Sequence, residues 1–439
     1  YGCQWRRYQR VECGSVVLLV LTFLLSSLFL YFWSQAHNDY NDFDWWVTRM
    51  HDTQTHVYDT HTTHAHVHAS MHAQTHTHHT RIYTHTHTHH TCTDCTTVYV
   101  CIAGLTLRLW DSGSPVHQVC LLGVYLGVFF SLYLVPLAMY SPCIREAGTL
   151  GPKPTLLGHR GAPMLAPENT LMSFESAVEA GVDGLETDIT ISADGVPFVM
   201  HDLTLQRTTN VEEVFPNRTH TPAALFTWSD VQQLNAGAWF LSWDPFGTVS
   251  SLSPEQRALA ANQTVPSLAE VLGVANRTGR TVLFDLRQPP PGHPYRDNYL
   301  NITLDLIHTH INSSQVCVTM LERPVDPELQ QTAGQTASIQ ELQDNHITSL
   351  NLHYSTMSLQ HISKYRSVNI SVNLYVVNQP WLYSLAWCSG ASSVTTNNML
   401  LRDIHTPLLL VTPEQYSVMW VLTDLVSAAL IVCIFIFHW

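Results

Sequence analysis

Short β-rich runs alternate with helical periodicity between residues 141 and 415. Eight runs predict strands, at 155–158, 184–191, 196–201, 281–287, 316–320, 347–352, 371–377 and 392–396. Leu171, Phe174, Ala177 and Val178 share one helical face after a cap at Asn169 or Thr170, and Ser267 with Glu270 forms a capping box. Eight strands with mostly helical connections predict an α/β (β/α)8 TIM barrel, with an insertion at 203–266. A doubly wound open sheet is the alternative.

Three uncharged or nearly uncharged apolar runs are long enough to cross a bilayer. They are residues 16–33, 119–140 and 416–437, and the third contains Asp424. The first run could instead be a signal peptide, and the third a buried core helix. We expect the barrel to be tethered by transmembrane helices, with domains at 1–50, 51–118, 119–140, 141–415 and 416–439.

The number of predicted spans conflicts with the side of the membrane on which the barrel is expected. Arg6, Arg7 and Arg10 precede the first span and place the N-terminus in the cytosol. Two spans would then return the barrel to the cytosol, whereas six N-x-S/T sequons within 141–415 favour an extracellular or lumenal domain. Because the chain also begins at Tyr1 rather than Met, we expect it to be incomplete or mispredicted, with spans missing.

A low-complexity tract occupies residues 51–97. Fourteen of the 27 histidines lie between His51 and His90, many of them alternating with threonine. Metal binding is one interpretation. We favour translation of a non-coding dinucleotide repeat, and expect disorder there.

Composition excludes some classes of protein. Only 12% of residues are charged and the formal net charge is −14, so a nucleic-acid partner is not expected. Three cysteines follow residue 140, which is too few for a disulfide framework. A small-molecule substrate and a membrane-embedded chain fit this composition better.

Two carboxylates lie at alternate positions on one predicted strand. Glu186 and Asp188 therefore point to the same side, which is the mouth of a barrel if they lie at the carboxyl end of the strand. Two close carboxylates repel each other unless a cation lies between them, and oxygen ligands favour Ca²⁺ or Mg²⁺. Asp285 on a later strand can supply a third oxygen. The alternative is that these residues are solvated charges at strand ends.

Two histidines also follow apolar runs, His159 after 155–158 and His201 after 196–200. A pair of imidazoles suits general acid–base catalysis, because one can accept a proton while the other donates one. His201 could also contact the metal, and the sequence does not separate these roles.

Nearby arginines and polar residues complete the predicted site. Arg160 and Arg287 are candidate clamps for phosphate oxygens. Glu168 could brace an arginine or a histidine, or bind the metal. Asn169 is a candidate helix cap, and Asp202 a candidate for orienting a neighbour. A surface role is the alternative for each charged residue.

These motifs resemble the glycerophosphodiester phosphodiesterase family. The matching blocks are His159-Arg-Gly-Ala-Pro, Pro167-Glu-Asn-Thr, Glu186-Thr-Asp and Gly195-Val-Pro-Phe-Val-Met-His-Asp, and further blocks such as Leu234-Asn-Ala-Gly-Ala-Trp-Phe resemble vertebrate multipass members. There are three departures from the family pattern: Asp285 stands where many relatives have Glu, Arg287 stands where many have Lys, and the last strand reads Thr395-Thr-Asn-Asn398 where soluble relatives often have Thr-Asp.

The resemblance implies a TIM barrel that cleaves glycerophosphodiesters with a divalent cation. It assigns acid–base catalysis to His159 and His201, and metal binding to Glu186, Asp188 and Asp285. It also implies that the glycerol 2-hydroxyl attacks phosphorus to give a cyclic phosphate. A catalytic domain outside the plasma membrane is likewise implied by the multipass members.

The sequence is compatible with several functions. Hydrolysis of glycerophosphoinositol is favoured over hydrolysis of glycerophosphocholine or release of GPI-anchored proteins. A non-catalytic cell-surface receptor or scaffold is the alternative from another class.

Overall fold

The computed structural model describes residues 141–319, 330–356, 359–408 and 410–438, together with Gly123 and Gly127. The described chain divides into a unit that comprises residues 141–413 and a second unit that contains residues 414–438. The first unit carries every predicted site residue.

Eight parallel strands close into a barrel in the first unit. The nine strands of the sheet are β1 Thr155–His159, β2 Gly184–Ile191, β3 Pro197–Val199, β4 Thr281–Leu286, β5 Val316–Thr319, β6 Gln330–Ala333, β7 Ser349–His353, β8 Ser371–Tyr375 and β9 Ser393–Thr396. All of them except β3 belong to the ring, which follows chain order and closes because β9 pairs with β1. The predicted TIM barrel is confirmed.

Helices alternate with most strands of the first unit. They are Leu171–Glu179, Val211–Val214, Trp228–Val231, Ala238–Trp243, Pro254–Ala261, Leu268–Thr278, Tyr299–His310, Ile339–Asp344, Leu359–Ser367 and Pro380–Ser389. The helix Pro413–His438 lies, apart from its first residue, in the second unit. Short 3₁₀ turns lie at Pro216–Arg218, Ala223–Leu225, Val249–Ser251, Ser313–Gln315, Tyr354–Thr356 and Met399–Asp403.

Local sequence signals explain where these helices begin and end. Thr170 caps the helix Leu171–Glu179 by accepting the Ser173 N–H, so Thr170 is the cap rather than Asn169. Ser267 and Glu270 form the predicted capping box, and Gly279 ends that helix in the left-handed region. Leu156, Leu185, Val282 and Phe284 lie in one continuous core with the helices.

Two strand predictions were wrong. The run 196–201 is not a barrel strand, because β3 pairs antiparallel with β2 and extends it beyond the ring as a hairpin. The ring strand β6, with the sequence Gln-Gln-Thr-Ala, was missed because, unlike the other strands, it contains no Val, Ile, Leu or Phe. His201 still reaches the barrel mouth, since β3 leads the chain back towards Asp188, whose carbonyl accepts the Met200 N–H.

Residues 203–266 fold as short helices with small apolar clusters of their own. One cluster packs Phe198 of β3 with Phe226 and Leu234. Another packs Trp239 and Phe240 against Met172 of the first barrel helix. The insertion therefore stands on the side of the barrel that carries β2 and β3.

A disulfide joins Cys143 to Cys388, 245 residues apart. It ties the segment that leads into β1 to the helix Pro380–Ser389. The three cysteines after residue 140 are too few for a disulfide framework. Among the described residues, Cys143–Cys388 is the one disulfide, and Cys317 is free.

Most of the predicted membrane segments cannot be compared with the structure. Residues 16–33, the tract 51–97 and, apart from Gly123 and Gly127, the run 119–140 lie outside the described residues. Within the described part of the chain, no helix combines the length and the apolar character needed to span a bilayer.

Candidate active site

His159 ends β1 and faces the mouth of the barrel. Its Nδ1 lies 2.7 Å from Oδ1 of Asn397, which follows β9, the neighbouring strand. Its Nε2 lies 3.9 Å from Oε2 of Glu186. Because Asn397 Oδ1 can only accept a hydrogen bond, Nδ1 carries the proton in the neutral ring. Nε2 then presents its lone pair on the side of Glu186.

Burial strongly affects the protonation of this imidazole. Burial, followed by the nearby Arg160 guanidinium, lowers the pKa of His159 to about 3. His159 is therefore neutral near pH 7, as a general base must be.

A tight loop after β1 shapes the next part of the site. Arg160 has φ of 54° and Asn169 has φ of 55°, both in the left-handed region that favours glycine. The Asn169 N–H donates to the Arg160 carbonyl at 2.9 Å, and this turns the Arg160 N–H onto Oε2 of Glu186 at 3.0 Å. Gly161 has φ of 90°, and a Cβ there would lie 2.4 Å from Ser173 Oγ. The glycine in the motif is thus required by close packing against the first barrel helix.

Glu186 and Asp188 lie on β2, in register with His159 and Asp285 respectively. Both carboxylates are buried. Burial, and then the charge of Asp188, raises the pKa of Glu186 well above its usual value. Burial by itself would also raise the pKa of Asp188, but Arg160, His201 and Arg287 outweigh burial and hold that pKa below its usual value.

A network of ion pairs connects the residues around His159 with those around His201. Glu168 accepts hydrogen bonds from Arg160 Nη1 at 3.0 Å and from Arg207 Nη2 at 2.7 Å. Arg207 also donates to Asp202, which lies 2.7 Å from Nδ1 of His201. Burial opposes ionisation of Glu168, yet Arg160 and Arg207 together keep its pKa far below the usual value. Glu168 and Asp202 thus fix Arg160 and His201 in place.

Arg287 lies between two of the predicted metal ligands. Its Nη2 is 2.8 Å from Oδ1 of Asp188 and 3.3 Å from Oδ2 of Asp285. Burial and the charge of Asp188 raise the pKa of Asp285, which is less buried than Asp188. In this arrangement Arg287 neutralises carboxylates, and its guanidinium remains partly exposed at the mouth.

Comparison with known proteins bears on what this cluster does. Residues 159–405, which contain every side chain of the cluster, match the model of the glycerophosphoryl diester phosphodiesterase family. The chain belongs to this family. It is similar to human glycerophosphodiester phosphodiesterase domain-containing protein 5, with 41% identity over 99% of this chain and 82% of that protein.

Two further relatives cover the barrel and its flanks. Mouse glycerophosphoinositol inositolphosphodiesterase GDPD2 is 44% identical over 76% of this chain and 64% of its own length. Domain-containing protein 4 of Macaca fascicularis is 44% identical over 72% of this chain and 52% of its own length. The prediction that the chain is a glycerophosphodiester phosphodiesterase is confirmed at the level of the family.

The carboxylates of this phosphodiesterase site suit a hard divalent cation by their chemistry, but their arrangement suits such an ion only in part. Five carboxylates (Glu168, Glu186, Asp188, Asp202 and Asp285) face three guanidinium groups. Burial, followed by the charge of Asp188, raises the pKa of Glu186 although Arg160 opposes this rise. Among the described residues, however, no three His, Cys, Asp or Glu side chains converge as a preassembled metal site. The predicted ligand set of Glu186, Asp188, His201 and Asp285 stays a prediction.

Sequence reasoning missed three residues of the site. Arg207 was noted only as part of a family block, although it connects Glu168 with Asp202. Asn397 was noted only as a departure from the family pattern. Tyr375 ends β8, and burial, then the charges of Asp285 and Glu186, raises its pKa. No local sequence signal marks any of the three, because each acts through a neighbour remote along the chain.

Proposed function

We propose that this chain hydrolyses glycerophosphodiesters with a divalent cation, and that glycerophosphoinositol is its favoured substrate. The observation that carries the proposal is the pair of histidines at one barrel mouth. One is buried and neutral beside Asn397, and the other is oriented by Asp202, with guanidinium groups between them. A proton acceptor, a proton donor and a phosphate clamp are thereby brought together.

The chemistry follows from these positions. Nε2 of His159 accepts the proton of the glycerol 2-hydroxyl, whose oxygen then bonds to phosphorus. The bond from phosphorus to the alcohol breaks, and His201 donates a proton to the departing oxygen. The resulting cyclic phosphate is opened by water, with the two histidines exchanging roles. Arg160, held by Glu168, offers N–H groups to the phosphate oxygens.

The cation would be held chiefly by Glu186 and Asp188, and when bound it would offset the charge of the phosphate oxygens. Both carboxylates are buried in the same cluster as Arg160, so their charge is not screened by water. Ca²⁺ and Mg²⁺ are the cations that suit such oxygen donors.

Relatives support the substrate choice, since one of them is named a glycerophosphoinositol inositolphosphodiesterase. Hydrolysis of glycerophosphocholine, or release of GPI-anchored proteins, is the second candidate within the class. A receptor or scaffold without catalysis is the candidate from another class, and the intact charge network around His159 and His201 disfavours it.

We further propose that the barrel lies outside the cell, at the plasma membrane, on a multipass chain. The Cys143–Cys388 disulfide suits an oxidising compartment. All six sequon asparagines are exposed: Asn217, Asn262, Asn276, Asn301, Asn312 and Asn369. Glycosidase treatment of the chain made in vertebrate cells should lower its apparent mass; an unchanged mass would contradict this location.

The catalytic proposal is tested by assaying wild type and His159→Ala on glycerophosphoinositol with Mg²⁺ or Ca²⁺. We expect a loss of about 10²–10⁴-fold in kcat, the usual contribution of a general acid or base. His361→Ala is the matched control, since His361 is an exposed histidine on the helix Leu359–Ser367. Equal turnover by His159→Ala and wild type, or no turnover by wild type, would favour the receptor.

A further inference from the structure

A groove of about 560 Å³ lies beside the site, along the insertion. Its inner end is formed by Asp202 and Arg207, the residues that orient His201 and Glu168. From there it runs over the short helices Val211–Val214 and Ala238–Trp243. None of the groups that transfer protons in the proposed reaction lines it, so the groove has room for a part of the substrate that does not react.

An indole forms one wall of the groove. Trp243 is 64% exposed, which is unusual for so large an apolar side chain. Its ring stands edge-on to Trp239, with 6.1 Å between the ring centroids. Trp239 is itself fixed, because its Nε1 donates to the Ala236 carbonyl at 3.0 Å and Arg207 lies 5.9 Å over its ring. The exposed face of Trp243 is therefore a supported apolar platform.

The rest of the groove lining is rich in amide and carboxylate groups. Gln206 donates to Glu212 at 2.5 Å, and Asn210 donates to Glu213 at 3.3 Å, so these side chains are arranged in pairs. The amides can both donate to and accept from vicinal hydroxyls, and the carboxylates accept from them. A ring with an apolar face and a hydroxylated edge is complementary to this combination.

We propose that the groove binds a polyol, a cyclitol or sugar ring, carried by the alcohol part of the diester. This inference rests on the proposed function and adds to it the residues that recognise the alcohol. Trp243 packs on the ring face while Asn210, Glu212 and Glu213 bind its hydroxyls. The volume exceeds what a single six-membered ring occupies, so a longer glycan attached to the ring also fits.

A quaternary ammonium such as choline is the competing ligand, since it also favours aromatic and acidic groups. Cages for such cations surround the charge with aromatic faces. Among the described residues of the groove only Trp243 presents an exposed ring, and the Arg207 cation lies at the inner end. The groove therefore fits a neutral polyol better.

The test compares Trp243→Ala with wild type, as the full chain, on glycerophosphoinositol and on glycerophosphoethanolamine. We expect kcat/KM for the inositol substrate to fall about tenfold, mainly through KM, as for the loss of one stacking contact. The value for the ethanolamine substrate should change less than about twofold. Leu259→Ala is the matched control, since Leu259 is 54% exposed in the same insertion but lies outside the groove.

Equal changes on both substrates, or no change on either, would overturn the polyol assignment. Glycerophosphocholine is assayed in the same way, and a loss confined to that substrate would overturn the assignment in favour of a cation site. Calorimetric binding of glycerophosphoinositol to His159→Ala, with and without Trp243→Ala, separates the groove from the chemistry. A dissociation constant raised about tenfold by Trp243→Ala supports the groove even if turnover is absent, and an unchanged constant refutes it.

Discussion

Replacing Arg207 by Met removes the guanidinium that connects the two halves of the charge network and keeps a side chain of similar length. In the folded chain Arg207 donates to both oxygens of Glu168 and to both oxygens of Asp202. The Glu168 side chain is only 2% exposed, and that of Arg207 is 19% exposed. The substitution therefore leaves a buried carboxylate with one guanidinium instead of two.

The expected loss of stability can be bracketed. Breaking a buried ion pair from one side costs about 3–5 kcal/mol, because the remaining charge stays desolvated. Glu168 keeps its 3.0 Å contact with Arg160, so we place the loss at the lower end, about 3 kcal/mol. Arg277→Met is the matched control. Arg277 pairs with Glu175 at 3.4 Å on the surface, with side chains 63% and 55% exposed. That loss should be about 0–1 kcal/mol.

Urea unfolding of the wild type and both variants measures these losses, and its pH dependence identifies their origin. Burial opposes ionisation of Glu168, but Arg160 and Arg207 hold its pKa below the usual value. A carboxylate with a lowered folded-state pKa stabilises the fold above its unfolded pKa, about 4.3, and less as the pH falls below that value. The difference in the free energy of unfolding between wild type and Arg207→Met should therefore become smaller below about pH 4. Equal losses for Arg207→Met and Arg277→Met, or a difference that does not change with pH, would refute this reasoning.

Three further predictions address the chemistry and the disulfide. Asn397→Asp places a carboxylate against Nδ1 of His159, which favours the imidazolium, so an NMR titration of the imidazole should show the pKa of His159 raised by about one unit or more relative to wild type; an unchanged pKa would contradict the contact between residue 397 and Nδ1. Chelation by EDTA should abolish turnover, and added Mg²⁺ or Ca²⁺ should restore it, whereas the same treatment of Glu186→Gln should restore little; full activity after chelation would contradict the cation. Cys143→Ser should lower the free energy of unfolding by about 2–5 kcal/mol in urea, since the bond closes a long loop, and wild type treated with reductant should lose the same amount.

The sequence by itself determined the barrel and the identity of most site residues. Short apolar runs with helices between them are compatible with few folds. Each of the four main site residues lies in, or directly after, a short buried run, namely His159, Glu186, Asp188 and His201. Strand alternation alone fixes that Glu186 and Asp188 point the same way. These are local facts, readable within a few residues of each position.

Only the tertiary structure decided which side chains of the site are ionised and that β3 turns back antiparallel to β2. The features concerned are the pairing of β3 with β2, the strand β6, and the contacts of Arg207 with Glu168 and of Asn397 with His159. They join positions from six to more than two hundred residues apart. A side chain's pKa depends on which groups face it after closure of the barrel and how little water remains there. The periodicity of apolar residues indicates which side of a helix or strand is buried, but not which residues that side contacts. The neutral state of His159 and the position of Arg287 between two carboxylates therefore follow only from the folded chain.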